Sequence, residues 1–155
     1  MTPYTQLHHP LISFGLVALQ FGLITLLSYL LISQPKNPLN LNDLLWVIPA
    51  ILLGLWAVKT MKLGQFNIVP DPKQNSTLIT SGPYQYIRHP MYLSILLFFL
   101  PLIIHQPSIA LLVTYSVLTL TLLIKLHYEE HLLIQTLNSY SHYQTHTKKL
   151  IPFLY

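Results

Sequence analysis

Cysteine is absent from this chain, which excludes disulfides, iron–sulfur clusters, thiolate zinc sites and cysteine nucleophiles. Charge is scarce as well. Asp, Glu, Lys and Arg together make up 8% of 155 residues, against about 25% in an ordinary soluble domain. A soluble fold of this size covers its surface with charged side chains, and eight basic and four acidic residues cannot do that. Apolar residues take their place, at 52% of the sequence. The net charge of +4 comes from Lys and Arg scattered without a basic run. That pattern argues against a nucleic-acid partner and for charges set by membrane topology. The length fits one domain, and the composition fits a small integral membrane protein.

No charge interrupts Leu11 to Ser33, a stretch long enough to cross ~30 Å of hydrocarbon at about 1.5 Å per residue. It exceeds a signal-peptide core and no small-residue cleavage site follows, so it reads as a retained span. A polar turn over Gln34–Pro38 separates it from a second apolar run, Leu44 to Val58, which Lys59 and Lys62 extend by snorkelling and Pro49 kinks. Residues 59–90 form the one long polar stretch. The uncharged run from His89 to Ile124 that follows would make a helix of roughly 54 Å, too long for one crossing. Pro107 cannot continue a helix, so the sequence predicts two helices over about 91–105 and 108–137, forming a hairpin. The expected fold is therefore all-α and polytopic, with about four transmembrane helices. Lys59, Lys62, Lys73, Arg88, Lys125, Lys148 and Lys149 then share one side against Lys36 alone, and the positive-inside rule makes that side cytoplasmic.

Two of the four acids are adjacent, Glu129 and Glu130. Glu129 lies ~32 Å along its helix from Ser108, about one hydrocarbon thickness from the hairpin turn. Topology thus brings it to the same membrane boundary as Arg88, His89 and Tyr92. Pro90 suits the first position of its helix, and that first turn, with Arg88 and His89, makes a site for an anionic group. The two glutamates suit a cation such as an ammonium. Tyr84, Tyr86, Tyr92 and Tyr128 add aromatic faces able to hold a sulfonium or an adenine ring. An interfacial aromatic belt with snorkelling charges would present the same residues.

The stretch Leu78-Ile79-Thr80-Ser81-Gly82-Pro83-Tyr84-Gln85-Tyr86-Ile87-Arg88-His89-Pro90-Met91-Tyr92, with Glu129-Glu130-His131-Leu132-Leu133 after it, resembles the isoprenylcysteine carboxyl methyltransferase family, itself related to the membrane phospholipid methyltransferases. Tyr140, Tyr143 and Ile151-Pro152 match its usual ending, so the resemblance spans about 60–155. It implies S-adenosylmethionine as cofactor, contacted by Thr77, Leu78, Ile79, Tyr84, His89, Pro90, Met91 and Tyr92, with Glu129 on the cofactor amine and Glu130 beside it. Lys125 stands where the carboxyl methyltransferases carry a substrate-facing arginine. It keeps the charge and loses the bidentate fork.

These readings combine into a single membrane domain over 1–155, with two spans in 1–58 and a methyltransferase core in 59–155. The polar loop and the C-terminal tail cap a cytoplasmic site. The expected reaction is methyl transfer to a lipophilic small molecule or lipid with a carboxylate, amine or thiol acceptor, aided by Arg88, Lys125 and Glu130, the last as the candidate base. Oligomeric state is left open. Competing readings exist. His127-Tyr128-Glu129-Glu130-His131 fits the H-x-x-E-H pattern of a zinc hydrolase, with His127 and His131 as ligands and Glu130 as base, and His142 or His146 as the third ligand. Sterol-reductase-like proteins share the C-terminal pattern with many more spans. A non-enzymatic accessory subunit would retain the fold without the activity.

Overall fold

The computed structural model describes residues 10–33, 41–65, 78–152 and 154–155. Among these the architecture is all helical: α1 (Pro10–Ser33), α2 (Leu41–Gln65), α3 (Pro90–His105), α4 (Ile109–Thr136) and the short α5 (Tyr140–His146), with a single 3-10 turn at Gly82–Gln85. The only strand-like pairing among the described residues is one isolated bridge, Ile87 with Lys148. The predicted Gln34–Pro38 turn, Lys36, Lys73 and Thr77 lie outside the described residues, as does the side chain of Lys62.

Two helices, α1 over Leu11–Ser33 and α4, are long and apolar enough to cross a membrane. Shorter apolar stretches occupy Leu45–Met61 of α2 and all of α3. The predicted ends of α3 and α4 agree with the structure to within a residue or so. Pro90 opens α3, where its missing N–H removes no helix bond, and the Ser108 hydroxyl caps α4 by accepting from the Leu111 N–H at 3.3 Å. The second apolar run ends at Val58 and was expected to be extended by Lys59 and Lys62 before a polar loop; the helix carries on through both and as far as Gln65, because Met61, Lys62 and Leu63 are good helix formers and Gly64 comes only at its last turn. Pro49 sits inside α2 and Pro101 inside α3.

The helices pack chiefly as two pairs, α1 on α4 and α2 on α3. On α3 the buried residues Tyr92, Leu96, Phe99 and Ile103 recur every three or four positions, on α4 Leu111, Leu118, Leu122 and Leu126 follow at seven, four and four, and with Leu27 of α1 they form the core. The other faces are apolar too: Phe14, Leu19 and Phe21 of α1 and Leu112, Val113, Leu120 and Ile124 of α4 are exposed. A water-facing surface does not carry so large an apolar area. Hydroxyls along these helices are satisfied within their own helix, Ser28 on Ile24 O, Thr114 on Ala110 O and Thr121 on Val117 O, so they cost little in an apolar medium.

Tyr92 of α3 meets Glu129 of α4, and four residues further into α3 the Leu96 carbonyl accepts from the Tyr115 hydroxyl. The start of α3 is therefore held beside the end of α4, and the polar residues of both collect there.

Candidate functional site

The first feature at this end is a strap. Arg88 N–H donates to Lys148 O at 2.8 Å, His89 N–H to Lys149 O at 3.1 Å, and Lys148 N–H to Tyr86 O at 3.1 Å. The segment after α5 thus lies along the segment before α3. Arg88 fastens the two to α4. Its Nε donates to Glu130 Oε1 at 2.5 Å, and its Nη1 donates to the carbonyls of Thr147 and Gln144. Both ends of the ion pair are buried, at 6% and 7% side-chain exposure. His89 Nε2 lies 3.4 Å from the same Glu130 oxygen, and Gln144 donates to the other at 3.3 Å. One basic and one acidic residue far apart in sequence, with three segments between them, therefore form a closed ionic network.

Glu129 joins that network only through His89. Tyr92 OH donates to its Oε1 at 2.6 Å, and His89 Nδ1 lies 3.5 Å from its Oε2. The His89 ring stacks on Tyr92, with centroids 5.3 Å apart and planes 13° from parallel. At 17% exposure the Glu129 side chain is the more accessible of the two carboxylates. The Tyr128 hydroxyl next to it in sequence is buried without a hydrogen-bond partner among the described residues. One helical turn before Glu129, the Lys125 ammonium lies 5.3 Å from the centroid of the Tyr92 ring and donates to Gln20 Oε1 of α1 at 2.8 Å.

The third feature is the Gly-Pro-Tyr turn. Gly82 has φ of +60°, and a Cβ there would come within 2.5 Å of Thr60 Oγ1 and 3.1 Å of Trp56 Nε1, both on α2. Only glycine lets the turn seat on α2 in this way. Tyr84 is buried behind it, and its carbonyl accepts from Tyr143 OH. Burial holds the phenols of Tyr84 and Tyr140 well above their ordinary range and pushes that of Tyr143 up to about 12, so all three are neutral donors at ordinary pH.

The structure brings Arg88, His89 and Tyr92 together with Glu129 and Glu130, the convergence that topology predicted, and places Pro90 and Lys125 beside them. Tyr84 lies behind the turn that leads into this cluster. Leu78 and Ile79 are half-buried just before the turn, and Met91 is half-buried in the first turn of α3. The expected anion site at the start of α3 is largely internally satisfied. The N–H groups of Tyr92 and Leu93 both bond His89 O, those of Arg88 and His89 go to the strap, and the Arg88 guanidinium is paired. Sequence reading missed Gln20, Gln144 and Thr147. Gln20 had a signal, being an amide inside an otherwise apolar span; the other two had none. The zinc pattern is not assembled. His127 engages Leu123 O and Lys149, His131 engages Gln135, and among the described residues no three His, Asp or Glu side chains stand close enough to hold a metal ion.

Helices with apolar outer faces and a buried ionic cluster at one end define a membrane-associated helical protein with a polar site at one end of its helices. The chain matches the phospholipid methyltransferase family model over residues 44–139, and it belongs to that family. The match runs from α2 through α4, with α1 and α5 outside it. No curated protein matches the chain. Membership points to an enzyme that transfers a methyl group to a lipid-like substrate.

Proposed function

We propose that the protein is an S-adenosylmethionine-dependent methyltransferase. In this reading it is a single four-span membrane domain over 1–155, its last two spans a hairpin, acting on a lipophilic acceptor at the cytoplasmic face. The observation that carries the proposal is Glu129, a part-accessible carboxylate oriented by Tyr92 and His89 and excluded from the Arg88–Glu130 pair. Such a carboxylate suits the ammonium of an amino-acid-like cofactor. The aromatic faces of Tyr92 and His89 beside it suit a sulfonium, and the Tyr128 hydroxyl offers a donor or acceptor still to be used.

When bound, the cofactor supplies a methyl group already activated on sulfur, so the protein need only align an acceptor and exclude water. Glu129 holds the amine end. Tyr92 and His89 fix the Glu129 rotamer, and Leu78, Ile79, Tyr84, Pro90 and Met91 wall the remainder. Arg88 and Glu130 bond each other, His89 and the strap, which supports positioning roles for both, Glu130 no longer acting as the base. Lys125 remains on the acceptor side. The strap of 147–149 and α5 close the site from the aqueous face.

The test is calorimetric titration of S-adenosylhomocysteine into the protein in lipid nanodiscs, with Glu129→Ala alongside. The expected result is binding by the wild type that is lost in a folded Glu129→Ala protein. Equal binding by both would refute the Glu129 assignment, and no binding by a folded wild type would refute the methyltransferase reading.

A further inference from the structure

An exposed patch beyond the strap combines charge with apolar surface. Along one face of α4 the exposed residues Val113, Val117, Leu120 and Ile124 recur every three or four positions. The next two on that face are His127 and His131, both exposed. On a helix that crosses a bilayer, this change from apolar residues to imidazoles marks the headgroup level. His127 lies two positions before Glu129, about 200° around the helix, and so faces away from the site.

The last residues of the chain dock at that level. His127 Nδ1 lies 2.7 Å from Leu123 O, so this nitrogen carries the hydrogen and Nε2 is left to accept. Lys149 Nζ donates to Nε2 at 3.1 Å, and the Tyr155 hydroxyl lies 3.4 Å from the same atom. The ammonium also sits 5.2 Å from the centroid of the Tyr155 ring. A neutral imidazole and a phenol ring leave its charge in place. Lys148 beside it is exposed, and after Glu130 the sequence holds no other Asp, Glu, Lys or Arg than these two lysines. Neither forms an ion pair among the described residues. The N–H groups of Leu150 and Ile151 donate to Tyr155 O at 2.7 Å and fold the segment back on itself; a carboxylate at Tyr155 still leaves it net positive. Ile151 and Leu154 on this fold are exposed, Leu154 at 80%.

We infer that this patch is a docking surface for an anionic phospholipid: Lys149, seated on His127, takes the lipid phosphate with Lys148 beside it, while Ile151 and Leu154 contact the upper part of the acyl chains. Basic side chains at a bilayer surface attract anionic headgroups, and apolar and aromatic neighbours supply the interfacial contact. The patch holds no carboxylate side chain to receive the cation of a zwitterionic headgroup, so charge complementarity selects a lipid of net negative charge. Because Lys149 O also accepts from His89 N–H, the bound lipid holds the strap against the leaflet. The inference concerns the outer face of α4 and stands whether or not the chain transfers a methyl group.

The experiment measures binding of two fluorescent probes with identical short acyl chains, a phosphatidylglycerol and a phosphatidylcholine, to the full chain in a neutral detergent. Inorganic phosphate serves as competitor. The expected result is roughly tenfold preference for the phosphatidylglycerol, the scale that two basic residues give at an anionic surface, with no displacement by inorganic phosphate. In His127→Glu, whose carboxylate pairs with Lys149, the preference falls to near unity. In Lys149→Gln it falls several-fold, so the question stays open to test if one variant misfolds. Leu154→Ser weakens both probes alike, and Glu129→Ala, on the other face of α4, retains the preference. The inference is overturned if the wild type binds both probes equally, or if folded His127→Glu and Lys149→Gln keep the preference. Displacement by inorganic phosphate would overturn it too, since a free anion would then be the ligand. Loss of the preference in folded Glu129→Ala, with His127→Glu unaffected, would equally overturn it by placing the lipid at the Glu129 site.

Discussion

Breaking the Arg88–Glu130 pair tests whether the strap is held by ionic coupling or merely by chain connectivity. Both side chains are more than nine-tenths buried, so removing one partner strands the other charge in a poorly solvated place, at a cost of about 3–5 kcal/mol. Glu130→Gln sits at the lower end, because the amide oxygen still accepts from Arg88. Arg88→Met sits at the upper end, since it also orphans the Thr147 and Gln144 carbonyls that Nη1 serves. The double variant Arg88→Met/Glu130→Leu removes both charges at once and is expected to be less destabilised than the sum of Arg88→Met and Glu130→Leu by at least about 1.5 kcal/mol. The assay is equilibrium unfolding of the four proteins in one detergent, followed by intrinsic fluorescence. A second readout, limited proteolysis between Ser139 and Leu150, should show faster cleavage in both single variants, because the strap is fastened to α4 through this pair. Additive losses, with coupling under about 0.5 kcal/mol, would refute the reasoning and leave the three backbone hydrogen bonds of Arg88, His89 and Lys148 as what holds the strap.

Gly82→Ala places a methyl group 2.5 Å from Thr60 Oγ1 at a φ of +60°, and should cost about 1–2 kcal/mol from the backbone alone plus the displacement of Thr60; Gly82→Ala in a Thr60→Ser background, which removes one of the two clashing branches, should recover part of the loss in the same unfolding assay. Tyr143→Phe deletes the bond to the Tyr84 carbonyl and should lower stability by about 1 kcal/mol, with a wild-type melting curve in shape. The protein should also lose stability above pH 10. Tyr143 titrates near 10 unfolded and near 12 folded, so its contribution is complete below pH 10 and is lost as pH rises through 12. Tyr143→Phe should reduce that slope, the remainder coming from the raised phenols of Tyr84 and Tyr140, and an unchanged slope would show that the Tyr143 phenol is not responsible.

Much of the helical layout was legible because hydrocarbon imposes a length and proline imposes a stop. Pro90 and Pro107 bounded α3 from either side, and the uncharged run from His89 to Ile124 was too long for one crossing. The end of α2 was not legible, because a helix former following an apolar run carries no stop signal, and Lys59 and Lys62 look alike in a loop and in a solvated helical turn. The convergence of Arg88, His89 and Tyr92 with Glu129 and Glu130 followed from counting rises along α4. The pairing inside that group did not follow. Sequence gave each charge a complementary ligand to receive, whereas the fold lets Arg88 and Glu130 satisfy one another, an outcome decided by side-chain reach across a helix pair. Gln144 and Thr147 became partners of the network only because the strap turns back along Tyr86–His89, and nothing in the pattern of 140–150 specifies that return.

The division of labour between the two glutamates follows from what each can still do. Glu130 accepts from Arg88 and Gln144 and lies against His89, so most of its lone-pair capacity is committed and its charge is balanced. Glu129 accepts from a neutral tyrosine and has no guanidinium beside it. A carboxylate so placed still has lone pairs to offer an incoming cation, because no guanidinium has to be displaced. The neighbouring pair contributes by holding His89, which touches both acids and stacks on Tyr92. A ligand bound at Glu129 would therefore be felt at Arg88 and the strap through one imidazole, which joins the apolar helix pair to the polar cover over its end.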